Sequence, residues 1–218
     1  MGASAQEDKC DVNGDGVVNI ADVVYVVDHV LGKHHHYPMT VDLGLPSGTQ
    51  WASCNVGASK PEEYGSYFSW GEIKEKDNFT WETYTHCDGS EQSCHFLGSD
   101  ISGTEYDVVH MKWGGNWCMP NRDDYDELVA NCTFKWTTYN GVDGYLFTSK
   151  KNRNSIFFPG AGSKSGNIIN DGAGRYWISN NTSKNYQAIS MLFSEYYLYV
   201  SHPERRYLGL NIRPVVRK

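Results

Sequence analysis

A chain of 218 residues with 39% hydrophobic residues and 22 Gly is long enough to bury a core, and suits one large domain or a domain with a small module. Its formal net charge of −7, with no cluster of Lys or Arg, argues against nucleic acid or an anionic membrane as partner, and no apolar run is long enough to span a bilayer. Aromatic residues reach 14%, with 15 Tyr and 7 Trp, an excess that soluble proteins divide between core and recognition surface. Six cysteines fit an exported protein with disulfides better than a cytosolic one. Residues 1–10 read as the remnant of a secretory leader, on the small-residue run Ala3-Ser4-Ala5, which places the chain outside the cell, at its surface or in a periplasm.

The sharpest motif runs from Asp11 to Asp22. Asp11, Asn13, Asp15, Asn19 and Asp22 stand at positions 1, 3, 5, 9 and 12 of a loop whose position 6 is Gly16 and whose position 7 is Val17. That spacing wraps a hard cation in oxygens: the glycine makes the sharp turn and the Val17 carbonyl supplies one ligand, so Ca²⁺ is the expected cofactor. Val23, Val24, Val27, Val30 and Leu31 then predict a helix over 21–31. With Asp rather than Glu at position 12, segment 11–33 resembles one half of a dockerin repeat, an EF-hand-like loop and helix. Asp88-Gly89, Asp143-Gly144 and Asp171-Gly172 lack the upstream ligands of a second repeat, which argues against a cohesin-type partner. Residues 34–40 read as a linker, and consecutive His34, His35 and His36 cannot all face one ion from it.

From residue 41 the composition changes to short strand-like pieces punctuated by Gly and Pro. Ser59, Pro61, Glu62, Glu63 and Gly65 predict a single capped helical turn, and Tyr67, Phe68 and Trp70 a strand. His86-Cys87 and Cys94-His95 carry the residue types of a zinc site, but their spacing fits a small disulfide loop better. Asn121 predicts a helix cap, with Asp123 and Asp124 in the first turn. Tyr125, Leu128, Val129 and Cys132 form a stripe facing a core with Trp113, Trp117 and Trp136 as partners, while Asp126, Glu127 and Asn131 face water. Cys118 and Cys132 bracket this helix and are candidates to pair, leaving Cys10 and Cys54. Strands are predicted over 134–139 and 144–148 around the turn Asn140-Gly141-Val142-Asp143, then over 155–159, and 188–194 is predicted to pair with 196–202.

Residues 41–218 resemble the major paralogous domain first named from Fibrobacter succinogenes and abundant in Bacteroidetes surface proteins. The resemblance rests on Asp42-Leu43-Gly44-Leu45-Pro46-Ser47-Gly48, Trp51-Ala52, Asn55-Val56-Gly57-Ala58 and Trp70-Gly71-Glu72. It continues through Trp113-Gly114, Trp117-Cys118-Met119-Pro120, Ile156-Phe157-Phe158-Pro159, Tyr176-Trp177 and Gly209-Leu210-Asn211-Ile212-Arg213-Pro214-Val215. Cys118 stands where the family commonly has Arg, and Asn121 where it commonly has Thr. The resemblance implies an α+β, C-type lectin-like fold with two small twisted sheets, flanking helices and adjacent termini.

Chemistry is harder to find than binding. No nucleophile elbow accompanies Ser47 or any Cys. The late cysteines of formylglycine-generating enzymes and the sugar-holding signatures of calcium-dependent lectins are absent. Asp107, His110 and Asp171 are imaginable acid or base groups, but solvated surface is the simpler reading. The stretch 175–211 instead carries a Tyr/Asn/Ser mixture of the kind antibody paratopes use. The expected ligand face comprises Trp177, Asn180, Asn181, Tyr186, Tyr197, Tyr199 and Tyr207, for an unidentified glycan or protein. Tyr196 is excluded because strand alternation sends it with Leu198 to the core side. The reading is a non-catalytic, exported or cell-surface adhesion protein. An enzyme on a formylglycine-generating-enzyme-like scaffold and a structural tether are its rivals.

Overall fold

The computed structural model describes residues 39–170 and 172–217, together with Val23, Val26 and Val30. Those three valines are helical, within the stretch where a helix is expected. The expected calcium ligands Asp11, Asn13, Asp15, Val17, Asn19 and Asp22 lie outside the described residues, as do Cys10, the three linker histidines and Asp171.

The described chain is α+β and mainly β, built from small antiparallel sheets and few helices. One sheet joins β1 (Thr40–Val41), β2 (Gln50–Ala52), β12 (Val215–Val216) and β3 (Trp117–Cys118), so the first and last of these strands in the chain flank β2 and both pair with it. A second has the order β11 (Tyr197–Arg205), β10 (Gln187–Ser194), β9 (Gly174–Asn181), and a third the order β4 (Cys132–Tyr139), β5 (Val142–Ser149), β6 (Ser155–Pro159). A small hairpin pairs β7 (Ser163–Ser165) with β8 (Ile168–Asn170). Among the described residues from 39 onward, the α-helices are α1 (Val108–Trp113) and α2 (Arg122–Asn131), with a short 3-10 turn over Glu91–Ser93. Four sheets thus replace the two expected.

Strand alternation organises the interior. Trp51, Cys118, Val215, Tyr176, Ile178, Met191 and Phe193 enter one hydrophobic core, while their neighbours Ala52, Trp117, Val216, Trp177 and Ala188 enter a second. Successive side chains of a strand point to opposite faces, so these strands form a layer buried on both sides, and their apolar residues run consecutively instead of alternating with polar ones. The first core is closed by α2 and the β4–β6 sheet, and the second by α1 with Phe68, Trp70 and Leu210.

Helix α2 forms as the sequence predicts. Asn121 accepts from the Asp124 N–H at 3.0 Å, and the Asp124 carboxylate accepts from the Asn121 N–H at 2.8 Å, a capping box that satisfies two otherwise orphaned donors. Tyr125, Leu128 and Cys132 face the first core, where Tyr125 meets Trp51 edge-on at 5.0 Å. Trp136 also packs against that core, whereas Trp113 and Trp117 meet each other on the second. Glu127 is not simply solvated, because its carboxylate accepts from the backbone N–H and hydroxyl of Ser47 at 2.8 and 2.6 Å. The β4–β5 hairpin turns through Asn140 (φ 48°) and Gly141 (φ 83°), the left-handed pair that a two-residue turn of this twist requires. Two expectations need correction. Residues 59–65 make turns without a helix, held by Glu63 accepting from Ser59, and of Tyr67, Phe68 and Trp70 only Phe68 makes a β-bridge, to Leu210.

Arg213 ties these parts together. Its guanidinium is fully buried and donates to Asn55 Oδ1 at 2.8 Å, to the carbonyls of Ala52 and Ser53 at 3.2 and 2.9 Å, and to the Phe157 carbonyl at 2.7 Å. Its planar face lies 4.7 Å over the Phe158 ring. We predict that Arg213→Ala lowers stability by about 3–5 kcal/mol, the scale for removing one member of a buried charged network. Arg213→Lys should recover little of it, since an ammonium cannot present the planar fork. Urea denaturation of the three proteins checks both, and a Lys variant as stable as the parent would show that charge rather than geometry matters.

Candidate functional site

The register of β9–β11 fixes where the expected ligand residues stand. In β10, Ala188, Ser190, Leu192 and Ser194 share one face. Across from them lie Glu204, His202, Tyr199 and Tyr197 of β11, and Trp177 and Arg175 of β9. Leu198, Val200 and Phe193 take the other face and pack on the first core. Tyr197 and Tyr199 are therefore exposed neighbours, with rings stacked at 5.3 Å, on a strand that is outermost in its sheet. Tyr196, assigned by alternation to the core side, is instead 86% exposed, because it sits in the β10–β11 turn and not in the strand.

Trp177 does not belong to any ligand face. It is fully buried in the second core, and its indole N–H donates to the Phe68 carbonyl at 2.7 Å. The reason is that β9 is covered on both faces, so neither parity of its residues reaches solvent over the middle of the strand. The remaining expected residues fall into separate groups. Ala188 pairs with Asn181 and Ser194 with Tyr197, which puts the asparagines and the tyrosine stack at opposite ends of β10, about 20 Å apart along a strand. Asn180 is engaged structurally, its Oδ1 accepting from the Arg122 N–H at the start of α2. Tyr186 and Tyr207 pack with Trp81 around Tyr84 and the Cys87–Cys94 disulfide.

Beside this group, a recess of about 400 Å³ opens between the β7–β8 hairpin and the end of β11. Ser165, Asn170, Arg175, Gln187, Glu204 and Tyr207 line it. Glu204 is buried and holds an ion pair with Arg175, while His202 Nδ1 lies 3.4 Å from the same carboxylate oxygen without hydrogen-bond alignment. The pair and the tyrosine stack stand on one face of the sheet. Together they offer aromatic area and directed polar groups, the combination with which proteins orient polar ligands.

A larger cleft, of about 760 Å³, was not legible in the sequence. Residues 71–78 form one wall, Thr83, Thr85 and His86 another, and Glu105 and Tyr106 close it. These segments lack regular strand or helix, and no periodicity brings residue 105 to residue 72. The signal available was the His86-Cys87…Cys94-His95 pair, because the disulfide there fixes one wall.

Of the candidate acid or base groups, Asp107 is committed elsewhere. Asp107 is fully buried instead of solvated: it caps α1 by accepting from Val109 and His110 N–H groups, and also from Gly103 and Met119. Burial raises its pKa against the four hydrogen bonds that favour the carboxylate. Cys118 and Cys132 do not pair. Both are buried free thiols, as is Cys54, and Cys54 donates to the Ala58 carbonyl. Among the described residues no group of three or more His, Cys, Asp and Glu is arranged to hold a metal. None of the helices of the described residues is long and apolar enough to cross a membrane. No protein-family model, curated protein or solved structure matches the chain.

Burial pushes the thiols of Cys118 and Cys132 up to about 11 and raises that of Cys54. The thiolate is the nucleophile, so at pH 7.5 all three should resist iodoacetamide in the folded protein and react promptly in denaturant, while Cys87 and Cys94 stay unlabelled unless reduced. Mass mapping of the alkylated peptides decides this, and a rapidly labelled Cys118 in the native protein would place an activated thiol in the fold.

Proposed function

We propose that this chain is a non-catalytic, exported or cell-surface binding protein of C-type lectin-like build. It engages a glycan or protein across the face carrying Tyr197 and Tyr199. The observation that carries the reading is the stacked tyrosine pair, exposed on an edge strand and sharing a face with the Arg175–Glu204 pair. Two phenol rings held against each other lose little freedom on contact with a ligand, and rings with a polar tip are the commonest anchors of recognition surfaces. Asn181, Tyr186 and Tyr207 would extend the contact only for a ligand long enough to follow β11 to its far end. The Cys87–Cys94 disulfide supports an oxidising compartment. Within the same reading the loop from Asp11 to Asp22 holds Ca²⁺ and orders the helix that follows.

A combined glycan and protein array should return ligands that the Tyr197→Ala/Tyr199→Ala protein no longer holds. The loss should be about 2 kcal/mol or more, the usual scale for aromatic hot spots, with the melting temperature nearly unchanged. Unfolding of the double variant, or an unchanged array profile, would remove this face from consideration.

Calorimetry tests the calcium loop independently. Ca²⁺ should bind with measurable heat and raise the melting temperature, and Asp15→Ala should abolish both effects, because it deletes a ligand at the centre of the loop. Equal binding by Asp15→Ala would refute the assignment.

A further inference from the structure

The cleft walled by residues 71–78 shares no residue with the tyrosine face, and its chemistry is different. At its floor the buried Glu72 carboxylate accepts from the Thr85 N–H and hydroxyl at 2.7 and 3.0 Å through one oxygen, and pairs with the Lys76 ammonium at 2.6 Å through the other. Lys76 also donates to the Thr83 carbonyl at 3.1 Å and lies 5.4 and 5.7 Å from the Phe79 and Tyr84 ring centres. The wall therefore already solvates one ammonium with a carboxylate, a carbonyl and aromatic faces. The His86 and Tyr106 rings, edge to face at 5.4 Å, form a second aromatic wall, and His86 Nε2 donates to the Gly71 carbonyl at 2.9 Å, which fixes the imidazole plane.

Charge decides what the remaining space accepts. Four carboxylates line the cleft (Glu72, Glu75, Asp77, Glu105) against two ammonium groups (Lys74, Lys76). Glu72 is matched by Lys76, and Glu75 faces Lys112 of α1 at 3.8 Å. Asp77 and Glu105, both exposed and without an ion-pair partner among the described residues, are left with the single exposed Lys74. An entering anion meets two carboxylates against the exposed Lys74 and a half-buried Lys76 ammonium already neutralised by Glu72, whereas an entering cation meets one more carboxylate than free ammonium and the His86 and Tyr106 rings.

We propose that this cleft binds a small organic cation, a primary ammonium on an apolar body, with the ammonium between Asp77 and Glu105 and the body against Tyr106 and His86. Its volume falls within the range of small-molecule sites, which run from about 300 to 1,000 Å³. The site stands or falls independently of the tyrosine face.

The test titrates the intact, oxidised protein with phenethylamine, and with 3-phenylpropionate as an anionic probe of the same shape. The amine should bind and the carboxylate should not, and added NaCl should weaken the amine. Asp77→Asn/Glu105→Gln and, separately, Tyr106→Ala should each weaken it by about fivefold, the scale of two exposed charge contacts or one cation–π contact. Because Asp77 and Glu105 are exposed, melting temperature serves as the control that the first variant is folded. Tyr197→Ala/Tyr199→Ala should leave amine binding unchanged. Comparison with N-acetyl-lysine methylamide separates the two sources of such a group: tighter phenethylamine binding assigns a free amine, and tighter lysine-amide binding a peptide side chain, both upholding the site. Equal binding of the carboxylate, no binding of either amine, or an undiminished affinity in the rim variant overturns the proposal.

Discussion

A guanidinium buried without a carboxylate partner is the constraint on which this domain turns. Arg213 lies in the first core with three backbone carbonyls, the Asn55 amide oxygen and the face of Phe158 taking the place of solvent. Burial pulls its pKa down, but a guanidinium is basic enough to stay charged, so every acceptor must be in place before it is tolerable inside. Those acceptors come from the end of β2 and the residue after it, from β6, and from the Asn55 turn. Asn55 in turn donates to the Tyr64 carbonyl at 2.9 Å and meets Tyr176 Oη at 3.2 Å. A planar donor with a fixed fork thus specifies the relative placement of segments that are far apart in sequence. Asn211 adds a second such tie, with its amide donating to the carbonyls of Tyr64 and Ser66.

Placing those segments creates the layer of strands buried on both faces, and that layer explains which parts of the fold were legible. Helix α2 was readable because its cap and its stripe are local, and the hairpin at Asn140-Gly141 because its turn chemistry is local. Tyr197 and Tyr199 were readable because β11 keeps solvent on one face. Trp177 misled because it lies in a strand whose two faces meet different cores, and in such a strand a polar-looking neighbourhood says nothing about exposure. The signal was present in Tyr176-Trp177-Ile178, three consecutive large apolar residues, which is the pattern of a doubly covered strand. Gly174 belongs to the same logic: it pairs with Phe193, and a Cβ there would lie 1.9 Å from the Phe193 ring, so the ring packs where a side chain would be.

The two candidate surfaces follow from opposite features of the fold. The tyrosine face exists because β11 ends its sheet, leaving outward backbone groups that the fold guards with Pro203, Arg205 and the bulge near Ser190 and Leu192. Such an edge favours extended partners and shallow contact. The cleft exists because residues 71–106 wrap the second core with almost no regular structure, and irregular backbone leaves concavities that strands do not.

Irregular backbone binds well only if it is already ordered, and the small cluster at the cleft shows how that order is reached. Tyr84, Cys87 and Cys94 are its buried apolar residues, too few to hold a loop by hydrophobic burial alone. Three further ties compensate. The disulfide closes the loop and removes freedom from the unfolded chain. The His95 N–H donates to the His86 carbonyl at 3.0 Å, and Arg206, fully buried, donates Nη1 to the His95 carbonyl at 2.8 Å while its guanidinium lies 4.4 Å over the Trp70 ring. Arg206 Nε and Nη2 have no hydrogen-bond partner among the described residues, so the aromatic face is their main compensation for lost water. The Tyr84 hydroxyl donates to the Trp70 carbonyl at 2.8 Å, and Gly71, the next residue, accepts from His86. The cleft wall is therefore linked through Trp70 to the second core, and its ordering is tied to the folding of the domain instead of being left to the ligand.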